Sequence, residues 1–228
     1  MERIWTLDLH LKGTDLVHPA LLQDDSAVVL VDCGYPGSLE ALERELERCG
    51  LGLNDVTHVV ITHQDHDHMG ALAALKRAVP GITVIAHEKE APYIDGSQKN
   101  LRLVQAEQMQ ETLPGEQKAF GERFCRMLRE VEPAPVDQTV KGGDWFPWCG
   151  GCEVVETPGH TPGHISLVLP RHRTWITGDA AVLDNGELVV ANPQFALDLA
   201  KAERSLERIR AAKGEYELIC YHGGHCAP

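Results

Sequence analysis

Thr62-His63-Gln64-Asp65-His66-Asp67-His68-Met69-Gly70 is the stretch on which the reading of this chain turns. Five of its side chains, at positions 63, 65, 66, 67 and 68, can bind a metal ion. The apolar run from His58 to Thr62 before it reads as a strand, and the Ala/Leu-rich run from Gly70 to Val79 after it reads as a helix, closed by Pro80-Gly81. The cluster therefore lies at a strand-to-helix junction. In extended backbone, alternate side chains point to one side. His63, Asp65 and Asp67 then share a side, His68 opens the helix beside them, and one strand end can feed two adjacent metal positions. His66 is expected to point away, in packing or in orienting a neighbour. A solvated polar loop accounts for one His beside one Asp, but not for this density behind a buried strand.

Three further clusters repeat the arrangement of a strand delivering His or Asp into a Gly-rich turn. Pro158-Gly159-His160-Thr161-Pro162-Gly163-His164 follows a predicted strand over Cys152 to Thr157. Glycine allows close backbone approach and proline stiffens the turn, so an imidazole can be fixed there. Asp179 follows the strand Thr174 to Thr177, and His222 follows the strand Leu218 to Tyr221. His164 and His225 lie in the same loops, where an imidazole can orient a ligand or meet substrate. His87, after the strand Thr83 to Ala86, is given a structural role.

Around these loops, strands are also expected at Ile4 to Leu11, Ala27 to Asp32 and Ile165 to Leu169. Helices are expected at Ser38 to Cys49, with Ser38 as N-cap and Gly50 as stop, and at Leu197 to Lys213. From about residue 88 to 130 the strand pattern pauses in polar, helix-prone sequence, which reads as a helical insertion. Its apolar residues Met109, Phe120, Phe124 and Met127 either pack it onto the sheets or wall a substrate cleft. Strands interspersed with helices along the whole length argue for α/β layers around one core.

Composition narrows the function. The 228 residues carry 21 Lys and Arg against 34 Asp and Glu, a net charge of −13. That balance disfavours nucleic acid and anionic membranes as partners. No apolar run nears the ~18 residues of a membrane helix. The charged start, MERIWTLDLHLKG, is unlike a secretory signal, so a cytoplasmic protein is expected. The seven cysteines are irregularly spaced, and Cys149-Gly-Gly-Cys152 reads as a turn with two thiols ahead of a redox or metal role. A GxSxG nucleophile elbow and a GxxxxGK[ST] phosphate loop are both absent, which opposes a serine hydrolase and a P-loop nucleotidase.

The order of these motifs resembles the metallo-β-lactamase superfamily: HxHxDH, then a His, a bridging Asp and a last His. Asp32-Cys33-Gly34 is similar to that family's early DxG turn, so the match reaches from there to His222. The resemblance implies an α/β fold, a four-layer αββα sandwich, as a single domain over residues 1–228 with the insertion at about 88–130. It implies a first metal on His63, Asp65 and His160 and a second on Asp67, His68 and His222. Asp179 would bridge them, and Asp67 and Asp179 would act in catalysis. One position departs from the pattern: Asp65 stands where the family has its second His, as in an HxDxDH subset. Relatives of that subset include lactonases and thioesterases such as glyoxalase II.

Two divalent cations are thus implied, with Zn2+ ahead of Mn2+ or Fe2+. Three carboxylates and a bridging hydroxide make the ligand set neutral, one charge lower than with His at position 65. Asp65 should weaken Lewis acidity at the first metal and shift preference toward Mn2+ or Fe2+, although the imidazoles still suit Zn2+. The expected reaction is hydrolysis of a small ester, lactone or thioester by a metal-bridging hydroxide. The rival is an iron-dependent oxidoreductase, persulfide dioxygenase-like or diiron, because flavodiiron proteins carry an acidic residue where Asp65 stands. No motif identifies the small-molecule substrate or the oligomeric state, and no polybasic run or anion clamp is visible.

Overall fold

Strict alternation inside short apolar runs builds the sheets of this protein. The computed structural model describes residues 1–11 and 13–226, leaving aside the side chain of residue 116. In chain order the first half gives β1 (Arg3–Thr6), β2 (Ala20–Gln23), β3 (Val28–Val31), α1 (Leu39–Arg48), β4 (His58–Ile61), α2 (His66–Met69), α3 (Leu72–Ala78) and β5 (Thr83–His87). Three helices follow without a strand between them: α4 (Ala91–Ile94), α5 (Leu101–Thr112) and α6 (Gly115–Arg129). The second half gives β6 (Gln138–Val140), β7 (Trp145–Phe146), β8 (Cys152–Glu156), β9 (Ile165–Leu169), β10 (Thr174–Gly178), β11 (Val182–Asp184), β12 (Glu187–Val189), α7 (Leu199–Ala212), β13 (Glu217–Cys220) and β14 (Gly224–Cys226).

One six-stranded sheet runs β1-β2-β3-β4-β5-β6 and the other β14-β13-β10-β9-β8-β7, with β11-β12 as a separate hairpin. Strands β3 to β6 are parallel neighbours, as are β10 and β13. In β3, Val29 and Val31 face the other sheet, where they join Val60, Val154, Leu167, Ile176 and Ile219 in the central core. Val28 and Leu30 face the opposite way, onto Leu42 and Leu46 of α1 and Leu72 and Leu75 of α3. The far side of the second sheet packs Val155, Val168 and Leu218 against Leu206 and Ile209 of α7. A period of two in the strands and 3.6 in the helices thus gives four layers, helix on sheet on sheet on helix. Leu103, Ala106, Cys125 and Leu128 form a small core of their own between α5 and α6.

Several local expectations shift. The first strand stops at Thr6, and only the bridge Leu9–Val17 continues the pairing expected as far as Leu11. Strand β2 has no signature in the sequence, because its apolar part is only Ala20-Leu21-Leu22 between Pro19 and Asp24. Ser38 stands at the start of α1 but its hydroxyl makes no capping bond. Gly50 ends that helix in the left-handed region, φ +78°, as its place in the sequence suggests. Cys149 and Cys152 are buried, unbridged thiols flanking a tight turn in which Cys149 has φ +49°.

Candidate metal centre

Every candidate ligand leaves the end of a strand on one rim of the two sheets. After β4 the chain bends through residues 62–64, Asp65 is extended, and α2 begins at His66. That switch changes the alternation read from the sequence. His63 and Asp65 face one group of ligands, and Asp67, already helical, faces the next. Loop 157–164 after β8 carries His160, the end of β10 carries Asp179, and the β13–β14 turn carries His222. Gly159 lets the His160 loop lie on the start of α7: a Cβ there would be 2.0 Å from the Ala202 nitrogen.

The seven side chains converge. His63, Asp65 and His160 form one group whose ligand atoms lie within 4.8 Å of one another, and Asp67, His68 and His222 form a second. Asp179 lies between them. Its Oδ2 is 3.4 Å from His160 Nε2, while its Oδ1 is 3.2 Å from His68 Nε2 and 3.6 Å from His222 Nε2. His63, His68 and Asp179 also form a group of their own, so the two positions are contiguous.

Whether these residues suit metal ions can be tested on their unused atoms. His63 Nε2, Asp65 Oδ1, His68 Nε2, His160 Nδ1 and Asp179 Oδ1 are all buried without a hydrogen-bond partner. Leaving one buried polar atom unpaired costs about 1–3 kcal/mol. Three such atoms in one group, His63 Nε2, His68 Nε2 and Asp179 Oδ1, all of them nitrogen or oxygen donors, fit a cation of the Zn2+ or Mn2+ type.

Partners behind the ligands hold them in place. Asp32, buried at the end of β3 with φ +62°, accepts the Thr62 backbone N–H, the Thr62 hydroxyl and His68 Nδ1–H, each at 2.8 Å. His68 is thereby left with Nε2 facing the site. Glu90, fully buried, accepts the Gln64 N–H at 3.1 Å through one oxygen and the Gly163 N–H at 2.7 Å through the other, which ties two ligand loops together.

The electrostatics follow from crowding. Burial alone would raise the Asp65 carboxyl, but the Arg102 charge with hydrogen bonds from His160 and His63 holds it well below the ordinary range. Asp67 and Asp179 are likewise lowered against burial, chiefly by His68. Burial pulls His68 down, yet Asp179, Asp32 and Asp67 outweigh it and hold it well above its usual value. His222 is raised in the same way by Asp179 and Asp67. His63 and His164 go the other way: burial, reinforced by neighbouring imidazoles, lowers both.

Arg102 is the residue that motif reading missed. It belongs to α5 in the insertion, is only 3% exposed, and donates to Asp65 Oδ2 from Nε at 3.0 Å and from Nη2 at 2.7 Å. No motif announces it, because it lies 37 residues beyond Asp65 in polar helical sequence. A cavity of about 200 Å3 opens beside the ligands, lined by Tyr35, His66, Arg102, Phe124 and Phe195 among others. His66 joins none of the ligand groups; its ring packs edge-on to Tyr35 and Phe124, and it does so on the cavity wall. Of the four apolar insertion residues, Phe124 lines the cavity and Met127 packs the α5–α6 core. Met109 and Phe120 are exposed and fill neither role expected of them. His164 serves the Asp179 backbone, whereas His225 lies on the surface beside Glu217.

Comparison with known proteins agrees with this geometry. The chain is 26% identical over 176 residues to the uncharacterized protein YobT of Bacillus subtilis (strain 168), covering 77% of this chain and 66% of that one. It is 28% identical over 163 residues to the probable metallo-hydrolase YflN of the same organism, covering 71% and 58%. It is 30% identical over 174 residues to a hydroxyacylglutathione hydrolase of Rhizobium meliloti (strain 1021), covering 76% and 50%. The chain thus spans about half to two thirds of the length of these relatives. The metallo-β-lactamase family protein TTHA1429 of Thermus thermophilus shares its fold, with a TM-score of 0.76 at 23% identity over 98% of this chain and 74% of that one. The model of the metallo-β-lactamase superfamily matches residues 13–225, and this chain belongs to that family.

Proposed function

We propose that this protein is a dinuclear metal-dependent hydrolase that cleaves a small ester, lactone or thioester. One observation carries the reading: seven His and Asp side chains converge, five of them on the wall of a cavity, and five of them carry a buried donor atom that nothing in the protein satisfies. His63, Asp65 and His160 would hold one cation, Asp67, His68 and His222 the other, and Asp179 both. When bound, the pair supplies a water acidified to a pKa of around 7 and polarises the substrate carbonyl. Asp32 and Glu90 fix the ligand loops. Asp67, on the cavity wall and bonded to His222 Nε2 at 3.1 Å, would accept the proton that the attacking water gives up and hand it to the leaving group. Tyr35, His66, Phe124 and Phe195 would shelter an acyl group from water.

The hydroxyacylglutathione hydrolase relative supports an acyl substrate. Arg102 is the one Lys or Arg among the described residues lining the cavity, and it is already paired with Asp65. That favours substrates without a strong anion at this end. No helix among the described residues is long and apolar enough to cross a membrane.

Metal content of protein purified without chelator, with hydrolysis of lactone, thioester, phosphodiester and β-lactam panels by wild type and Asp179→Ala, tests the reading. Two equivalents of metal and an activity lost in the variant are expected. Metal-free protein that is fully active would sink it. The oxygen donor at Asp65 also suits iron, so an oxidoreductase is the second reading; iron absorption with substrate-dependent oxygen uptake would favour it.

A further inference from the structure

Asp65 uses its two oxygens differently. Oδ2 receives the Arg102 fork and lies 2.9 Å from His160 Nε2 and 3.5 Å from His63 Nε2, and Arg102 Nη2 also reaches His160 Nε2 at 3.0 Å. Oδ1 is buried and has no partner at all. Arg102 is equally fixed. Its Nη1 donates to Gln105 Oε1 and to the Phe195 carbonyl, and its guanidinium sits 5.5 Å from the Phe195 ring. The start of α5 is clamped to the ligand loop itself. Asn100 Nδ2 donates to the Gln64 carbonyl at 2.9 Å, and Gln64 Oε1 accepts the Leu101 N–H at 2.7 Å. Gln64 is the residue before Asp65, and Asn100 is two before Arg102, so this clamp sets the register of the pair.

A buried ion pair that served stability alone would satisfy both oxygens, since an incomplete one gains little over apolar packing. Here the pair stands inside a metal group: Oδ2, the oxygen Arg102 holds, is the one that faces the other two members, His160 Nε2 at 2.9 Å and His63 Nε2 at 3.5 Å. An imidazole donor would be neutral, a lone carboxylate is not, and a carboxylate shared with a guanidinium is neutral again as a unit.

Resting on the dinuclear reading, we propose that Asp65 and Arg102 act together as one neutral donor. Arg102 is a positioning residue that holds Oδ2 among the donors of the first cation and keeps that cation strongly acidic by drawing charge from the carboxylate. The insertion is then part of the metal centre, and its α5 sets the electronic character of one of the two positions.

A double-mutant cycle with metal counting tests this. Asp65→His leaves a buried guanidinium without a counterion beside an imidazole, and is expected to drop from two metals per chain to about one after dialysis against chelator. Asp65→His/Arg102→Met is expected to regain the second metal, with affinity within about tenfold of wild type. Arg102→Met alone should hold the first cation at least as tightly as wild type yet turn over about tenfold or more slowly. Arg102→Lys, which keeps the charge, should recover most of that rate. Co2+ titration followed by visible absorption reads the first position without reference to activity, and circular dichroism checks folding. If the double variant holds no more metal than Asp65→His, or if Arg102→Met turns over like wild type, the pairing is not functional. Wild type that takes up no metal at all would instead overturn the dinuclear reading beneath it.

Discussion

The Asp179 backbone N–H donates to His164 Nε2 at 2.9 Å. The other end of that ring is fixed by a chain of hydroxyls. Ser166 Oγ donates to the Thr177 carbonyl at 3.0 Å, so Thr157 donates to Ser166, and His164 Nδ1–H donates to Thr157 at 2.9 Å. The network permits one tautomer, and the lowered proton affinity of His164 keeps it neutral. Gly178 leaves room for the contact, because a Cβ there would lie 2.7 Å from His164 Nε2. A neutral imidazole thus holds the backbone of the proposed bridging carboxylate. His164→Ala should leave the Asp179 N–H unpaired, at a cost of about 1–3 kcal/mol in urea denaturation. It should also weaken metal retention about 10- to 100-fold in chelator competition. Unchanged retention would remove His164 from any role at the site.

Asp32 supports the opposite side. It accepts His68 Nδ1–H and also takes a left-handed backbone conformation. Asn tolerates that conformation and Ala does not. Asp32→Asn should therefore isolate the loss of the carboxylate, lowering affinity for the second metal about 10- to 100-fold and costing about 1–3 kcal/mol for the buried donors it no longer accepts. Asp32→Ala should lose metal and melt lower still. Equal melting of the two variants would show that the backbone conformation carries no cost.

How far the site is legible depends on sequence distance. His63, Asp65, Asp67 and His68 lie in one loop, and each later ligand follows a strand with a Gly-rich turn, so local patterns point to them. The layers are readable for the same reason: continuous apolar runs such as Val28 to Val31 are long enough to carry a signal. Short elements such as β2 and β7 carry none, because three or fewer apolar residues fit strand and loop equally well. Arg102, Glu90 and Gln64 are silent because their roles exist only through contacts across α4 and α5. A buried Arg in a polar helix has the same sequence signature as an exposed one.

The titration shifts predict how stability varies with pH in metal-free protein. His68 and His222 have raised values, so their contribution is full below the unfolded value of about 6.5 and is lost as pH rises through their folded values. His63 and His164 are lowered, so the unfolded chain takes up protons below about pH 6.5 that the folded chain refuses, and stability falls in that direction. The lowered Asp65, Asp67 and Asp179 contribute above about pH 3.9 and are lost in stronger acid. Metal-free protein should thus be most stable near pH ~6.5. With metal bound, His68 and His222 would be neutral ligands, and the alkaline decline should vanish. Melting curves from pH 5 to 9 with and without chelator check this; parallel curves would refute it.

Phe124 gives the insertion a second contact with the cavity. Its ring lies 5.8 Å from His66 and 5.9 Å from Phe195, so it joins two walls that come from different parts of the chain. Neither of these ring partners is a ligand of the metal centre, and its truncation should spare the chemistry. Removing an aromatic wall lowers binding of the ground state and the transition state alike, which raises KM and leaves kcat. Phe124→Ala is expected to raise KM about tenfold for acyl groups long enough to reach the wall, at a cost of about 1.4 kcal/mol, with kcat within about twofold. Acetyl substrates, too short to reach it, should be unaffected. A fall in kcat with an unchanged KM would mean that the insertion positions the reacting centre and does not shelter the acyl chain.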